Sequence, residues 1–159
     1  MLKDQTIAAI ATSTAIGGIG IVRLSGSESL KIVEAMTTLK DLKPRHAYFS
    51  KFLGKEGEVI DEGVVLYYKG PNSFTGEDVI ELQGHGGIVV LNRVLSRTLE
   101  LGAIMARRGE FSERAFINGK LDLVQAEAIH DLIVSQSEAQ AKAAMNSLTG
   151  NFSKKINAL

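Results

Sequence analysis

Three charged residues stand in sequence settings that are typical of ligand contacts. Arg23 lies within an apolar run, where a charge is costly unless it is paired or faces a ligand. Glu81 lies on a short predicted strand between glycines, so its carboxylate is a candidate pocket wall. Lys120 stands at the predicted start of a helix, where backbone N–H groups favour a bound carboxylate. The alternative for each is a surface salt bridge, which contributes little stability, and the residues alone do not join the three into one site.

Other chemistries have weaker support in the sequence. The three histidines, His46, His85 and His130, are isolated and lack the spacing of metal ligands. His85 stands between glycines and is a candidate site residue, although a lone histidine more often has a structural role. There is no cysteine and no recognisable Ser-His-Asp set, so we expect neither a metal site nor nucleophilic catalysis. No Gly-x-x-x-x-Gly-Lys-Ser/Thr motif occurs, so this chain alone is not expected to hydrolyse nucleotides.

The strand that carries Glu81 is predicted from the alternation of residue types. Ile80 and Leu82 are expected to face a core, while Glu81 shares the opposite face with Val79 and Gln83. Glycines on both sides of the strand allow sharp turns or a close approach to a flat object. The alternative is an edge strand with a solvated Glu81 and glycines that only form turns.

The remaining elements follow from periodicity and from residues that begin or end helices. Arg23 lies on a second predicted strand, over residues 18–24. Helices are predicted over residues 27–39, with Ser27 as the capping residue, and over residues 88–101. Further strands are predicted over residues 6–11, 46–53, 59–68 and 103–106, and residues 107–119 form a polar connector with helical turns.

The last segment of the chain predicts an unusually long helix. From Leu121 to Leu159 apolar residues recur at helical spacing, and only Gly150 weakens the pattern, by about 1 kcal/mol. At about 1.5 Å per residue this helix would be roughly 58 Å long, about twice the diameter of a small domain. We therefore expect a fragment cut inside a helix of a larger protein. The alternative is a pair of helices broken near Gly150.

Composition limits the function classes. The chain has 159 residues, enough for one domain with a core, and its net charge of zero argues against a dedicated nucleic-acid domain. No apolar run approaches the roughly 20 residues that cross a bilayer, and the first residues lack the pattern of a signal peptide. A cytoplasmic protein is the expectation.

Four stretches of the sequence carry a resemblance to a known family. In order they are TIAAIAT, GGIGIVRLSG, PNSFTGEDVIELQGHGG and GEFSERAFINGKLDLVQAEA, at residues 6–12, 17–26, 71–87 and 109–128. Together they resemble the N-terminal region of the MnmE family of tRNA modification GTPases, also called TrmE. Two departures are the loop over residues 13–16, which is usually rich in proline and glycine, and Arg108, which replaces a usual proline.

The resemblance implies an α+β fold, a mixed β-sheet with flanking helices, followed by the long C-terminal helix. This fold is related to half of a folate-binding aminomethyltransferase, and two copies are expected to pair as a homodimer. The implied division is a folate-binding and dimerisation domain over residues 1–119 and the truncated start of a helical domain over residues 120–159.

The resemblance also implies the function and the site. The full-length protein is expected to be a GTPase, using GTP, Mg and K, that acts with MnmG on C5 of the wobble uridine of tRNA. The domain is expected to bind a tetrahydrofolate derivative, 5-formyl- or 5,10-methylene-tetrahydrofolate, through Arg23, Glu81 and Lys120. A pterin presents two adjacent donors that one carboxylate accepts, which is the role we expect for Glu81. Arg23 and Lys120 are expected to meet ligand oxygens.

Two other functions remain open at this point. One is a structural dimerisation and docking module that has lost folate binding. The other is a free-standing enzyme of the aminomethyltransferase type, which the sequence disfavours because the chain is about half the size of such a fold. No catalytic residue is expected within the fragment itself.

Overall fold

The computed structural model describes residues 5–150, which form two compact units that divide between Phe111 and Ser112. The first unit is a sheet with helices, so the predicted α+β class is confirmed. Its elements are β1 (Ile7–Ile10), β2 (Gly20–Ser25), α1 (Ser29–Ala35), β3 (Ala47–Leu53), β4 (Val59–Tyr68), β5 (Val79–Gly84), α2 (Ile88–Glu100) and β6 (Ile104–Met105).

The six strands form one mixed sheet in the order β3-β4-β5-β2-β1-β6. The β1–β6 pair is parallel, and the other pairs are antiparallel. Strand β5 lies between β4 and β2, so the edge-strand alternative for Glu81 is wrong. In the antiparallel register Arg23 lies opposite Glu81, and Leu66 lies opposite Glu81 on the other side.

One face of the sheet carries the hydrophobic core. The inward side chains of β2 and β5 are fully buried, and they pack with α1 and α2; they are Val22, Leu24, Ile80 and Leu82. The predicted alternation along β5 is therefore confirmed for Ile80 and Leu82. Because successive side chains of a strand point to opposite faces, Arg23 and Glu81 are directed to the face away from this core.

The start of α1 differs from the prediction. Ser27 does not cap the helix; the N-cap residue is Glu28, without a side-chain cap, and the helix ends at Ala35. The Glu28 N–H instead donates to Thr6 Oγ1 at 2.9 Å. A donor at the helix start is therefore satisfied by a side chain from the sheet, which no local pattern reveals.

The predicted long C-terminal helix is wrong over the residues that the structure describes. The second unit contains most of α3 (Glu110–Ile117), followed by α4 (Leu123–Val134) and α5 (Glu138–Leu148), with a break at residues 135–137. Gln125 Nε2 donates to the Leu148 carbonyl at 3.0 Å, so the chain folds back and the two helices pack together. The predicted part over residues 151–159 lies outside the described residues.

The break between α4 and α5 has a local cause. Ser137 is the N-cap of α5 and accepts a hydrogen bond from the Gln140 N–H. Ser135 Oγ donates to the Leu132 carbonyl at 2.8 Å and satisfies a carbonyl at the end of α4. Serine side chains thus complete both helix ends, which compensates for the interrupted backbone ladder.

The compact units divide earlier in the chain than the predicted domain boundary after Gly119, which stays a prediction. Within residues 5–150, no helix has both the length and the apolar character that are needed to cross a bilayer.

Candidate functional site

The candidate site is centred on an ion pair across β2 and β5. Arg23 Nη2 and Nε lie 3.2 and 3.4 Å from Glu81 Oε2. The Arg23 side chain is 30% exposed and the Glu81 side chain is 13% exposed, so the pair is largely shielded from solvent. The sheet register therefore brings together two of the three predicted site residues.

The Glu81 carboxylate is only partly used by this pair. Both Arg23 donors contact Oε2, at distances longer than the 2.7–2.9 Å that is usual for charge-assisted hydrogen bonds. Over the described part of the chain, Oε1 of Glu81 accepts no hydrogen bond. A carboxylate has about four acceptor sites, so Glu81 retains capacity for further donors.

A cavity of about 250 Å³ adjoins the pair. Its lining consists of Arg23 and Glu81 together with Tyr68, Phe74 and Val79. Tyr68 and Val79 are cross-strand partners on β4 and β5, while Phe74 lies on the loop that joins these strands. The cavity thus combines a charged pair with aromatic and apolar walls, as is typical of sites for small organic ligands.

Wider hollows on the described chain have a different character. One of about 480 Å³ lies between α4 and α5, and another of about 460 Å³ lies between the β3–β4 turn and α2. The residues that line these two hollows include no aromatic side chain. The smaller cavity is the candidate site because a partly unsatisfied carboxylate and two aromatic side chains line it.

Phe111 fixes Arg23 from another side. The guanidinium carbon of Arg23 lies 5.6 Å from the centre of the Phe111 ring, a distance at which a cation and an aromatic face attract each other. Arg23 is therefore oriented by two groups, the Glu81 carboxylate and this ring. Phe111 lies in the GEFSER stretch, which is part of the family resemblance. The sequence predicted no role for this residue.

Lys120 lies in the second compact unit, in the turn between α3 and α4. Its backbone N–H donates to the Ala115 carbonyl at 2.8 Å and closes the end of α3. Helix α4 begins at Leu123, and Asp122 caps it by accepting the Gln125 N–H at 2.7 Å. The N-terminus of α4, which the sequence predicted as a site for a ligand carboxylate, is thus capped by the carboxylate of Asp122.

A second carboxylate pair involves His85, which the sequence also marked. His85 Nδ1 lies 2.7 Å from Asp61 Oδ1, and the His85 backbone N–H donates to Asp61 Oδ2 at 2.8 Å. The Asp61 side chain is only 8% exposed, whereas His85 is 72% exposed. His85 follows β5, so this pair ties the β5–α2 turn to β4.

The Asp61–His85 contact shifts both pKa values. Burial acts to raise the pKa of Asp61, but hydrogen bonds from the His85 backbone, the His85 ring and the Glu62 backbone outweigh it and lower that pKa. The hydrogen bond to Asp61, and then its negative charge, raise the pKa of His85. These shifts describe a mutually stabilised pair of opposite charges.

Sequence reasoning missed the aromatic walls and the partner of His85. Tyr68 and Phe74 carry no charge and therefore gave no signal, although both stand close to the marked strand in the chain. Asp61 is distant from His85 in sequence, so only the β4–β5 pairing reveals it. Among the described residues, no group of three His, Cys, Asp or Glu side chains is arranged to hold a metal ion.

Comparison with protein families gives a match over most of the chain. Residues 6–120 match the family model described as the GTP-binding protein TrmE N-terminus. This range includes the Arg23–Glu81 site, the Phe74 loop and Lys120.

Curated relatives match nearly the whole chain. The tRNA modification GTPase MnmE of Pseudomonas paraeruginosa is 59% identical over 155 residues, which cover 98% of this chain and 34% of the relative. MnmE of Psychrobacter arcticus is 58% identical over 154 residues, covering 97% and 32%. MnmE of Dichelobacter nodosus is 54% identical over 159 residues, covering 100% and 35%. The chain thus spans about a third of the length of these relatives.

Proposed function

Because the chain belongs to the TrmE N-terminus family, we propose that it is the reduced-folate-binding and dimerisation region of a tRNA-modifying GTPase. The observation that carries the folate proposal is the Glu81 carboxylate, which lies at the cavity with one oxygen unused by the described chain. A pterin ring presents an amino group and a ring N–H side by side, and such a donor pair suits one carboxylate.

The residues around the cavity fit this ligand class. Tyr68, Phe74 and Val79 offer aromatic and apolar surface to a flat ring, and the space of about 250 Å³ suits a bicyclic ring with its tail outside. The reduced folate, as 5-formyl- or 5,10-methylene-tetrahydrofolate, would supply a one-carbon unit when bound. The chain's own contribution is to bind and orient the ring.

Each charged residue has a distinct proposed role. Glu81 accepts hydrogen bonds from the ligand, while Arg23 holds the carboxylate through Oε2 and is itself steadied by Phe111. The remaining guanidinium donors of Arg23 are directed to ligand oxygens. Lys120 is proposed to meet a carboxylate of the ligand, a role that rests on the family resemblance of its NGKLDL turn.

The wider function belongs to a longer protein. The relatives' names indicate GTP hydrolysis and tRNA modification, and we propose both activities, with GTP, Mg and K, for the protein that contains this region. We further propose a homodimer that acts in the cytoplasm with MnmG on C5 of the wobble uridine of tRNA. Exposed apolar side chains of the first unit, such as Ile16 and Ile19, are available to a second copy.

Calorimetry with 5-formyltetrahydrofolate tests the folate proposal. The wild-type 159-residue chain is expected to bind, and Glu81→Ala is expected to lose at least about 100-fold in affinity, because two hydrogen bonds to a charged group are removed. Circular dichroism should show that the variant stays folded, since Glu81 faces away from the core.

Glu28→Ala is the matched control, because this carboxylate is 56% exposed and does not line the cavity. Retained affinity in Glu81→Ala would remove the assigned role. A wild-type chain that does not bind would instead favour the dimerisation and docking module without folate. Sedimentation tests the homodimer, and a monomer at tens of micromolar would contradict it.

A further inference from the structure

The loop between β4 and β5 is fixed by a buried polar network. Ser25 and Thr75 are fully buried, and their hydroxyl oxygens lie 2.7 Å apart. Ser25 Oγ donates to Glu77 Oε1 at 2.7 Å, so Thr75 donates in the shared hydroxyl contact. The Glu77 N–H donates back to Thr75 Oγ1 at 3.2 Å. Three residues are thus linked to one another by hydrogen bonds.

This network connects the loop to the strand that carries Arg23. Ser25 is the last residue of β2, two positions after Arg23. The Gly26 N–H donates to the Asp78 carbonyl at 2.9 Å, and the Gly70 N–H donates to the Asp78 carboxylate at 2.9 Å. Gly76 adopts a φ of +81°, which favours glycine and allows the tight turn between these contacts. The loop is therefore held at both ends and in its centre.

Phe74 is an exposed aromatic residue within this fixed loop. It stands between Ser73, which donates to the Glu77 carbonyl, and the buried Thr75. Yet Phe74 is 40% exposed and lies outside the hydrophobic core. Its ring lines the cavity with Glu81. The polar network thus holds an aromatic surface at the cavity, where the fold itself gains little from its burial.

We propose that Phe74 is a ligand-contacting residue whose ring packs against the flat ring of the bound molecule, and that Thr75 is a positioning residue. The inference rests on the proposed folate function. Glu81 recognises the edge of the ligand ring, and Phe74 supplies its face, since aromatic surfaces attract in offset or edge-to-face contacts. Ser25, Thr75 and Glu77 act through Phe74 by fixing the loop.

Fluorescence gives a direct test, because the chain contains no tryptophan. Phe74→Trp places a single reporter at the cavity, and Phe49→Trp is the matched control at a 69% exposed position on β3 that does not line it. Saturating 5-formyltetrahydrofolate is expected to change the emission of Trp at position 74 at the concentrations where calorimetry shows binding. The emission at position 49 should stay constant. An equal response at both positions would contradict the contact.

Affinity measurements distinguish the contact that Phe74 makes with the ligand from the positioning role of Thr75. Phe74→Leu is expected to weaken binding about tenfold, while Phe74→Tyr stays within about twofold of wild type. Thr75→Val removes the hydroxyl at similar shape and should weaken binding about fivefold, whereas Thr75→Ser keeps the hydroxyl and restores affinity. Loss of binding in both Thr75 variants would show a packing effect and contradict the positioning role.

The outcomes also separate this inference from the proposed function. If wild type binds, Glu81→Ala loses binding and Phe74→Leu stays within twofold of wild type, the inference is wrong and the folate function stands. If wild type does not bind 5-formyltetrahydrofolate, both are overturned.

Discussion

Two of the carboxylate pairs in the described chain, Asp61–His85 and Arg23–Glu81, use their oxygens differently. Asp61 accepts the His85 ring nitrogen, the His85 backbone N–H and the Glu62 backbone N–H, all within 2.7–2.8 Å. Within residues 5–150, Glu81 accepts from Arg23 alone, through one oxygen at 3.2–3.4 Å. The first pair spans a turn, and the second lines a cavity.

This difference separates a carboxylate whose oxygens the fold uses fully from one that has capacity for further donors. Buried polar atoms are nearly always hydrogen-bonded, so a largely buried carboxylate with spare acceptor capacity calls for a partner. Asp61 has used both oxygens within the fold, and its energetic role is to hold the turn. Glu81 keeps acceptor capacity that a ligand can use.

Replacing each carboxylate by its amide is expected to give the largest effect, which is on ligand affinity. The result can contradict the distinction drawn between Glu81 and Asp61. Glu81→Gln should lower the affinity for 5-formyltetrahydrofolate by at least about 100-fold, because an amide nitrogen meets the ligand's donors. Asp61→Asn should leave that affinity within about twofold. Calorimetry on both variants checks the difference.

Thermal unfolding of the same two variants should show the opposite order. Asp61→Asn is expected to cost about 1 kcal/mol, or about 2–4 °C in Tm, because the amide cannot accept all of the hydrogen bonds. Glu81→Gln should change Tm by less than about 1 °C. Equal effects on stability would mean that both carboxylates are structural.

Serine exchanges in the β5–α2 turn test how tightly the turn that Asp61 holds is packed. A Cβ at Gly86 would lie 2.1 Å from the Gly17 carbonyl oxygen, whereas a Cβ at Gly87 meets no atom within 4 Å. Gly86→Ser is therefore expected to cost about 2 kcal/mol, or about 5 °C in Tm, while Gly87→Ser stays near wild type. Calorimetric scanning checks the pair, and similar Tm values would show that the turn that Asp61 holds tolerates displacement.

The smallest expected effect is the pH dependence of the Asp61–His85 pair. The pKa of Asp61 is lowered, so its contribution is present above the unfolded value near 4 and is lost as pH falls through the folded value. The pKa of His85 is raised, so its contribution is full below about 6.5 and is lost as pH rises through the folded value. The Tm advantage of wild type over Asp61→Asn should therefore be larger at pH 5.5 than at pH 8.5.

His85→Gln serves as the control for this dependence. It removes the titrating ring but keeps the backbone N–H that Asp61 accepts. In this control, the Tm of the single variant His85→Gln is compared with the Tm of the double variant His85→Gln/Asp61→Asn. The difference between the two Tm values should be the same at pH 5.5 and at pH 8.5. A persistent change between pH 5.5 and 8.5 would assign the effect to another group.

Much of the fold was predictable from local pattern, since alternation identified the core-facing side chains of β5. The failures lie where distant residues decide. Thr6 replaces Ser27 at the start of α1, and this depends on the sheet. The break before α5 did have a local signal, because Ser137 and Gln140 have the spacing of a helix start. Apolar residues continue at helical spacing on both sides of residues 135–137, and this periodicity predicted one continuous helix in spite of that signal.

The sequence predicted the charged residues of the site but not how the fold brings them together. Arg23 and Glu81 were marked by their settings, but their direct pairing depends on β5 lying beside β2, which is a long-range choice. Phe74 gave no signal, because an aromatic residue in a loop is uninformative without the cavity. The relation of Lys120 to this site stays a prediction.

The register between β2 and β5 has a consequence for correct strand pairing during folding. Because Arg23 and Glu81 are directly opposed, a slip of one residue in either strand would turn one of these charges toward the apolar helices, at a large desolvation cost. A ligand that needs both residues on the open face would bind only chains with the correct register. By mass action it would add about 2.7 kcal/mol at 100 times its dissociation constant. Such a ligand would thus selectively stabilise the correctly paired sheet.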